Sequence, residues 1–231
     1  MMGLKLLFSR YFRHRAALIA IAAFFAAMLA AVMIFHADPG LSEDGDGDYL
    51  ICKIFALMPM VFWQILPTIL MMPETIGSRF MRSVPCAEKM HTVGIPVFSV
   101  LIPAVTGALT NAVYAVFILL SGRDICNITD LLALTGIYGG IMALAACVMM
   151  SSRFGGILLL LFQVLFWASL GTSVNPGSHT AAYGFGLPLW AGALIAVGGI
   201  CAGALLGGVI SAVCYRKCNF RETPYNNITS N

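Results

Sequence analysis

Residues 94–120 read GIPVFSVLIPAVTGALTNAVYAVFILL, a run of 27 residues without Asp, Glu, Lys, Arg or His. A transmembrane helix needs about 20 apolar residues to cross a hydrocarbon core of about 30 Å. Backbone groups in lipid must bond to one another, and a long run without alternation favours a helix over a barrel strand. This stretch therefore predicts a membrane-spanning helix.

The rest of the chain is equally apolar. Of 231 residues, 60% are hydrophobic and 10% are charged, and the mean hydropathy is +0.91, whereas a soluble domain carries about 25% charged residues. Further apolar runs of span length lie at 16–36, 50–72, 130–150, 155–173 and 187–214. The sequence predicts an all-α polytopic integral membrane protein with six transmembrane helices, forming a single transmembrane domain over 1–231.

The basic residues predict the orientation of the chain. If the N-terminus is cytoplasmic, eleven of the thirteen Lys and Arg residues fall on the inner side and only Lys53 and Arg123 fall outside. Such a bias places both termini in the cytoplasm, including the tail at 215–231. The net charge of +3 then follows from membrane topology, and we expect no nucleic-acid partner.

The N-terminal residues 1–15 have an amphipathic pattern. At 100° per residue, one arc is apolar and the other is basic or polar; the apolar arc holds Leu4, Leu7, Phe8, Tyr11 and Phe12, and the polar arc holds Lys5, Ser9, Arg10 and Arg13. This pattern predicts an elbow helix that lies among the lipids of the inner headgroup layer. Ordinary basic flanking of the first span is the alternative.

The predicted spans contain glycines and prolines at informative positions. Gly199, Gly203 and Gly207 lie four residues apart and predict a face for close helix packing, either within the fold or between subunits. Four prolines are expected to kink or locally unwind the second and third spans, namely Pro59, Pro67, Pro96 and Pro103. The outer loop at 171–186 is uncharged and glycine-rich and could be partly re-entrant.

The motifs of soluble enzymes are missing. The sequence has no GxxxxGK[ST], HExxH or GxSxG pattern, and its four histidines are scattered, so we expect no catalytic residue, no metal site and no cofactor bound by this chain. Acidic and basic residues are also missing from the deep span interiors, which disfavours proton coupling. Gln64 and Asn111 are the polar residues there; they either line a pathway or bond between helices.

One mixed-charge segment interrupts the apolar runs. Residues 73–92 read PETIGSRFMRSVPCAEKMHT and join the second and third spans on the cytoplasmic side. Phe80 and Val84 alternate with Arg79 and Arg82, and aromatic and Arg side chains are enriched at protein interfaces. The segment therefore predicts a docking surface for a cytoplasmic partner, with an interfacial helix on the membrane as the alternative.

In this segment Glu74, Gly77-Ser78, Val84-Pro85 and Lys89 resemble the pattern of the permease subunits of ABC-2 type transporters, which also have an elbow helix and six spans. The resemblance implies a coupling helix in a groove of a cytoplasmic ABC ATPase subunit, which binds ATP and Mg. It also implies a second permease, identical or related, and export across the bacterial plasma membrane. The implied coupling residues are Glu74, Gly77, Arg79, Phe80, Arg82, Val84 and Pro85.

Two other functions fit the same composition. A vitamin-binding S-component also has six spans and no ATPase of its own, and Gly199, Gly203 and Gly207 would then form its docking face. A membrane enzyme or immunity-type protein without transport is the third possibility.

Overall fold

The computed structural model describes residues 2–13, 15–36, 56, 58–65, 68–69, 71, 85–121, 128–151 and 187–217, and all of the regular structure within them is helical. In chain order the elements are α1 (Met2–Arg13), α2 (Arg15–His36), the π-helical turn π1 (Val61–Ile65), α3 (Ala87–Lys89), the π-helical turn π2 (Met90–Gly94), α4 (Ile95–Ser121), α5 (Ile128–Ser151) and α6 (Leu189–Lys217).

Three helical stretches in the described part of the chain are long and apolar enough to cross a membrane: Ala87–Leu120, Ile128–Ser151 and Leu189–Arg216. They contain the predicted third, fourth and sixth spans and confirm the prediction of apolar membrane helices for this part of the chain. α2 begins where the first span was predicted. The fifth span and the loop at 171–186 lie outside the described residues, and the six-span count and the cytoplasmic termini stay predictions.

α5 and α6 touch through their backbones. A Cβ atom added to Gly203 would lie 2.6 Å from the Cα of Gly140, and one added to Gly199 would lie 2.5 Å from the carbonyl oxygen of Gly136. Carbon atoms normally stay about 3.5–4.0 Å apart, so neither glycine can carry a side chain without separating the helices. The two helices form the most extensive contact between described elements.

The same contact extends along the whole of α6. Near its start, a Cβ on Gly192 would lie 2.8 Å from the carbonyl oxygen of Thr129, and near its end one on Gly207 would lie 2.7 Å from the Cβ of Cys147. The glycines singled out for helix packing thus lie against α5 of the same chain. Small residues serve this purpose in membranes because packing, rather than water exclusion, holds the helices together.

α5 is the most enclosed of the three long helices. In its most apolar stretch 67% of the residues are buried, against 22% for α6. Met142, Ala143 and Met150 have no exposed surface, whereas Leu194 and Val197 of α6 are about two-thirds exposed. One face of α6 therefore packs on α5, and the other is left for lipid or a further protein.

The prolines act differently from one another. α4 continues through Pro103 as one α-helix, whereas π1 begins two residues after Pro59 and π2 ends two residues before Pro96. The expected unwinding is thus seen as two short π-helical turns, which are rare and are frequent at functional sites. Pro67 lies outside the described residues.

α1 covers the start of α4. Gly3, Leu7 and Tyr11 face inward and are buried, and the ring of Tyr11 packs edge-on against Phe98 with centroids 5.5 Å apart. Lys5 and the other polar side chains of this helix are more exposed than these three residues. The amphipathic pattern of the sequence corresponds to this division except at Phe12, which is exposed, and the apolar face of α1 lies on π2 and α4.

Candidate functional site

The predicted coupling segment meets the bundle at residues 85–94, which we call the junction. Pro85 forms an exposed turn, α3 follows, and π2 leads into α4. The other predicted coupling residues lie outside the described residues: Glu74, Gly77, Arg79, Phe80, Arg82 and Val84. The junction is thus the described route from that segment into the membrane helices.

Pro96 leaves one carbonyl of the junction without a backbone donor. In π2 the N–H of Ile95 donates to the carbonyl of Met90, so the next bond in this register would run from residue 96 to the carbonyl of His91. Proline has no N–H, and this bond cannot form. The hydroxyl of Ser211 donates to the His91 carbonyl instead, at 2.6 Å. A residue of α6 therefore completes the hydrogen bonding of π2.

α5 extends this connection. The hydroxyl of Ser151, at the end of α5, lies 2.6 Å from the Ser211 oxygen and can donate to it. Ser211 has no exposed surface and Ser151 is 2% exposed. In such a dry environment a chain of hydrogen bonds is stronger than in water, and losing one member is costly. The last turns of α5 and α6 and the junction are thus joined through two hydroxyl groups.

Side chains reinforce the same contact. The ring of His91, which is 2% exposed, stacks on Tyr215 with centroids 5.1 Å apart and planes at 22°. Glu88 of α3 lies 4.0 Å from the guanidinium of Arg216, but both side chains are more than 60% exposed, and such pairs contribute little stability. The junction therefore touches the C-terminal part of α6 at Ser211, Tyr215 and Arg216, and the contacts at Ser211 and Tyr215 are less exposed than the ion pair.

A second hydroxyl group bonds to a backbone carbonyl in a π-helical turn, that of Trp63 in π1. The hydroxyl of Tyr11 donates to that carbonyl at 2.9 Å. Burial raises the pKa of Tyr11 above its ordinary value, so the phenol keeps its proton throughout the physiological range and remains a donor. α1 thus holds the second predicted span as α6 holds the junction.

The two polar residues predicted to line a pathway differ in their surroundings. Asn111 donates to the Gly107 carbonyl at 2.8 Å and to the Thr135 hydroxyl at 3.2 Å, which joins α4 to α5. Gln64 is 1% exposed, and neither atom of its side-chain amide has a hydrogen-bond partner in the described part of the chain. Asn111 therefore bonds between helices, whereas Gln64 is a buried amide without such a role.

Gln64 lies in π1, four residues after the buried Met60. Met60 packs with Met142 and Met149 in one buried cluster, to which Ile69 also belongs. The Thr68 hydroxyl donates to the backbone carbonyl of Gln64 at 2.6 Å and leaves the side-chain amide unsatisfied. Burying an amide without a partner costs free energy. The unsatisfied amide therefore lowers the stability of this part of the span. Gln64 directly follows Trp63, whose carbonyl accepts the hydrogen bond from Tyr11.

Replacing Gln64 by Met tests whether the unsatisfied amide destabilises the protein. We expect the free energy of unfolding to rise by about 1–3 kcal/mol, because an apolar side chain of similar length removes an unsatisfied amide. The midpoint of thermal unfolding in detergent measures the change. Asn111→Leu is the matched control and should destabilise, because it breaks the bond to Thr135. A destabilised Gln64→Met protein would mean that the amide has a partner.

Sequence reasoning missed the hydroxyl donors of both bonds, Tyr11 and Ser211. For Ser211 part of the signal was present, since Pro96 cannot donate to the His91 carbonyl in the register of π2. The donors lie 52 and 120 residues away from their acceptors, and no local pattern connects positions so far apart.

Within the described ranges no three His, Cys, Asp or Glu side chains lie close enough together to hold a metal ion. Comparison of the chain with models of known protein families, with curated proteins and with solved structures finds no match. The function is therefore argued from the residues of this chain.

Proposed function

We propose that the chain is the permease subunit of an ABC-2-like exporter in the bacterial plasma membrane. A separate cytoplasmic ATPase, with its own ATP and Mg, would act on residues 73–92. The observation that carries this proposal is a hydrogen bond at the junction. Ser211 of α6 donates to the His91 carbonyl, which cannot accept a bond from Pro96. A loop that only connected two spans would have no need of such a buried attachment.

The hydrogen bond between Ser211 and the His91 carbonyl provides a path by which movement of residues 73–92 would reach the membrane helices. A displacement of residues 73–84 reaches π2 through the single turn of α3. From π2 it reaches α4 along the chain and α6 through the Ser211 bond. Because the glycines of α6 hold it against α5 at backbone distance, α5 and α6 move together. The conformational change of the ATPase would then tilt α4 relative to α5 and α6.

The second predicted span leads into the same segment from its other side. Its π1 turn is bonded to α1 through Tyr11 and Trp63, and Gln64 in this turn is not held by its side-chain amide. π-bulges are among the few places where helices kink. One π-helical turn thus precedes the segment and a second lies at its end, and both are suited to bending.

The proposal includes a second permease, identical or related. One set of six helices is too small to enclose a pathway, so cargo would pass between two permeases. The outward face of α6 is apolar and exposed along its length, with Leu194, Val197, Leu205 and Val209 each more than 60% exposed. This face is suited to lipid or to the second permease.

The packing of the glycines favours this function over an S-component. In that alternative Gly199, Gly203 and Gly207 would dock on an energising module. α5 already occupies their face within the chain, and no further helix can approach there. The docking surface that an S-component would need is therefore already packed against α5 of the same chain.

The proposal is tested by a double substitution, Glu74→Ala with Arg82→Ala. If these residues contact the ATPase, the amount of ATP-binding subunit that co-purifies from native membranes should fall about 30-fold, as expected for a loss of about 2 kcal/mol at an interface. Quantitative mass spectrometry of the purified complex measures this ratio. The unfolding midpoint of the permease alone should stay unchanged.

Glu43→Ala with Arg123→Ala is the matched control, since it also removes one acid and one base but lies on the predicted outer side. This protein should retain the ATPase. Equal recovery of the ATPase with both double variants would contradict the coupling role of 73–92.

A further inference from the structure

A long apolar groove runs along α4 on the side facing α1 and α2. It has a volume of about 400 Å³ and follows α4 from Ile102 to Tyr114, with Ala22 and Phe25 of α2 and Trp63 of π1 as its other walls. Twelve residues of α-helix rise about 18 Å. This length is close to the roughly 15 Å depth of one leaflet of the hydrocarbon core.

Three of the four described hydroxyl groups that line this groove already donate hydrogen bonds. Thr106 donates to the carbonyl of Ile102 at 2.8 Å, and Thr110 donates to that of Thr106 at 2.9 Å. The Tyr11 hydroxyl donates to the Trp63 carbonyl. A polar solute would lose its hydration here without gaining hydrogen bonds from these groups. The groove is therefore suited to a hydrocarbon chain.

Arginines lie at one end of the groove. Phe12 lines both the groove and a second, wider depression of about 680 Å³, whose other described residues are Leu6, Ser9, Arg10, Arg13 and Arg15. None of the described residues lining this depression is acidic. Guanidinium groups bind phosphate through paired hydrogen bonds and keep their charge at every physiological pH. Cationic groups thus meet the opening of an acyl-sized groove.

We propose that an anionic phospholipid of the leaflet that carries α1 occupies this site. Its phosphate lies at Arg10, Arg13 and Arg15, and one acyl chain lies in the groove. An ordinary boundary lipid touches a convex helix surface, whereas this lipid is enclosed by α1, α2, π1 and α4. The bound lipid packs beside the Tyr11–Trp63 bond and holds α1 against the second span. This site does not depend on the transport function proposed above.

Trp63 makes the occupant of the groove measurable. Trp167→Phe with Trp190→Phe leaves Trp63 as the single tryptophan of the chain. The protein is placed in phosphatidylcholine nanodiscs with rising fractions of brominated phosphatidylglycerol, or of brominated phosphatidylcholine, and fluorescence quenching is recorded. We expect half-maximal quenching at an at least five-fold lower mole fraction of the anionic lipid.

Five variants test the two halves of the site in this background. Arg10→Gln with Arg13→Gln and Arg15→Gln should reduce the preference for the anionic lipid to less than two-fold, and Arg15→Gln alone should reduce it in part. Lys5→Gln removes a charge of the same helix that does not line the depression, and should keep the preference. Ala22→Phe should fill the groove and lower quenching by both lipids, whereas Ala23→Phe, on the exposed surface beside it, should not.

The alternatives predict different results. Equal quenching by the two brominated lipids at every mole fraction would overturn the selection by charge. Quenching by neither lipid would overturn the lipid site altogether, since it would mean that protein covers Trp63. A preference that survives loss of the three arginines but not of Lys5 would also contradict the assignment.

Discussion

Replacing Gly203 by Ala is expected to lower the free energy of unfolding by about 3 kcal/mol, the upper part of the range for an overpacked core. The added methyl would meet the backbone of Gly140, with the Cα atom 2.6 Å away. Backbone cannot change rotamer to make room, so α5 and α6 must separate along their shared face. The midpoint of unfolding by heat or by denaturing detergent measures the loss.

Gly198→Ala is the matched control. It is the same substitution in the same helix, but a Cβ at Gly198 has no neighbour within 4 Å. We expect no loss of stability there, and a gain of up to about 1 kcal/mol from the better helix propensity of alanine. Equal effects of the two substitutions would mean that α5 and α6 are not in backbone contact.

Ser211→Ala should be the most damaging loss of a single polar group, at about 1–3 kcal/mol, the cost of leaving a buried partner unsatisfied. It removes the Ser211 donor from the His91 carbonyl and leaves the Ser151 hydroxyl with the Cys147 carbonyl as its acceptor. Thermal unfolding of the purified permease measures this cost. Cys201→Ala, at an exposed position of α6, is the control and should change stability by less than about 0.5 kcal/mol.

If the proposed transport function holds, Ser211→Ala should have a second effect, which is measured separately from stability. Ser211 is not one of the predicted coupling residues, so the Ser211→Ala protein should still co-purify with its ATPase while ATP hydrolysis no longer drives transport. An unchanged unfolding midpoint would contradict the hydrogen bond itself. Loss of stability with normal transport would contradict only the coupling path.

The helices were predictable because their signal is local. Long apolar runs predict α4, α5 and α6 to within a few residues, and the 100° pattern of residues 4–14 predicts the two faces of α1. The glycine spacing in α6 also predicts a packing face. Gly136 and Gly140 of α5 have the same four-residue spacing, but spacing alone does not pair them with Gly199 and Gly203. Which faces meet is decided by three-dimensional fit over distant parts of the chain.

The candidate site was less predictable, since its bonds connect helices. Pro96 predicts a carbonyl in need of a donor, but nothing in the local sequence indicates Ser211. Gln64 and Asn111 look alike in the sequence as lone amides in apolar runs. Their difference comes from Thr135, which lies within reach of Asn111 alone in the described structure. The predicted coupling residues from Glu74 to Val84 stay predictions.

The backbone contact between α5 and α6 also sets a condition on how the protein is made. α5 ends at Ser151 and α6 ends at Lys217, so the ribosome must add 66 residues before the second helix is complete. At 5–20 residues per second this takes roughly 3–13 s. During that interval Gly136 and Gly140 of α5 have no α6 to pack against. The close packing of these two helices is therefore a late event in the synthesis of the chain.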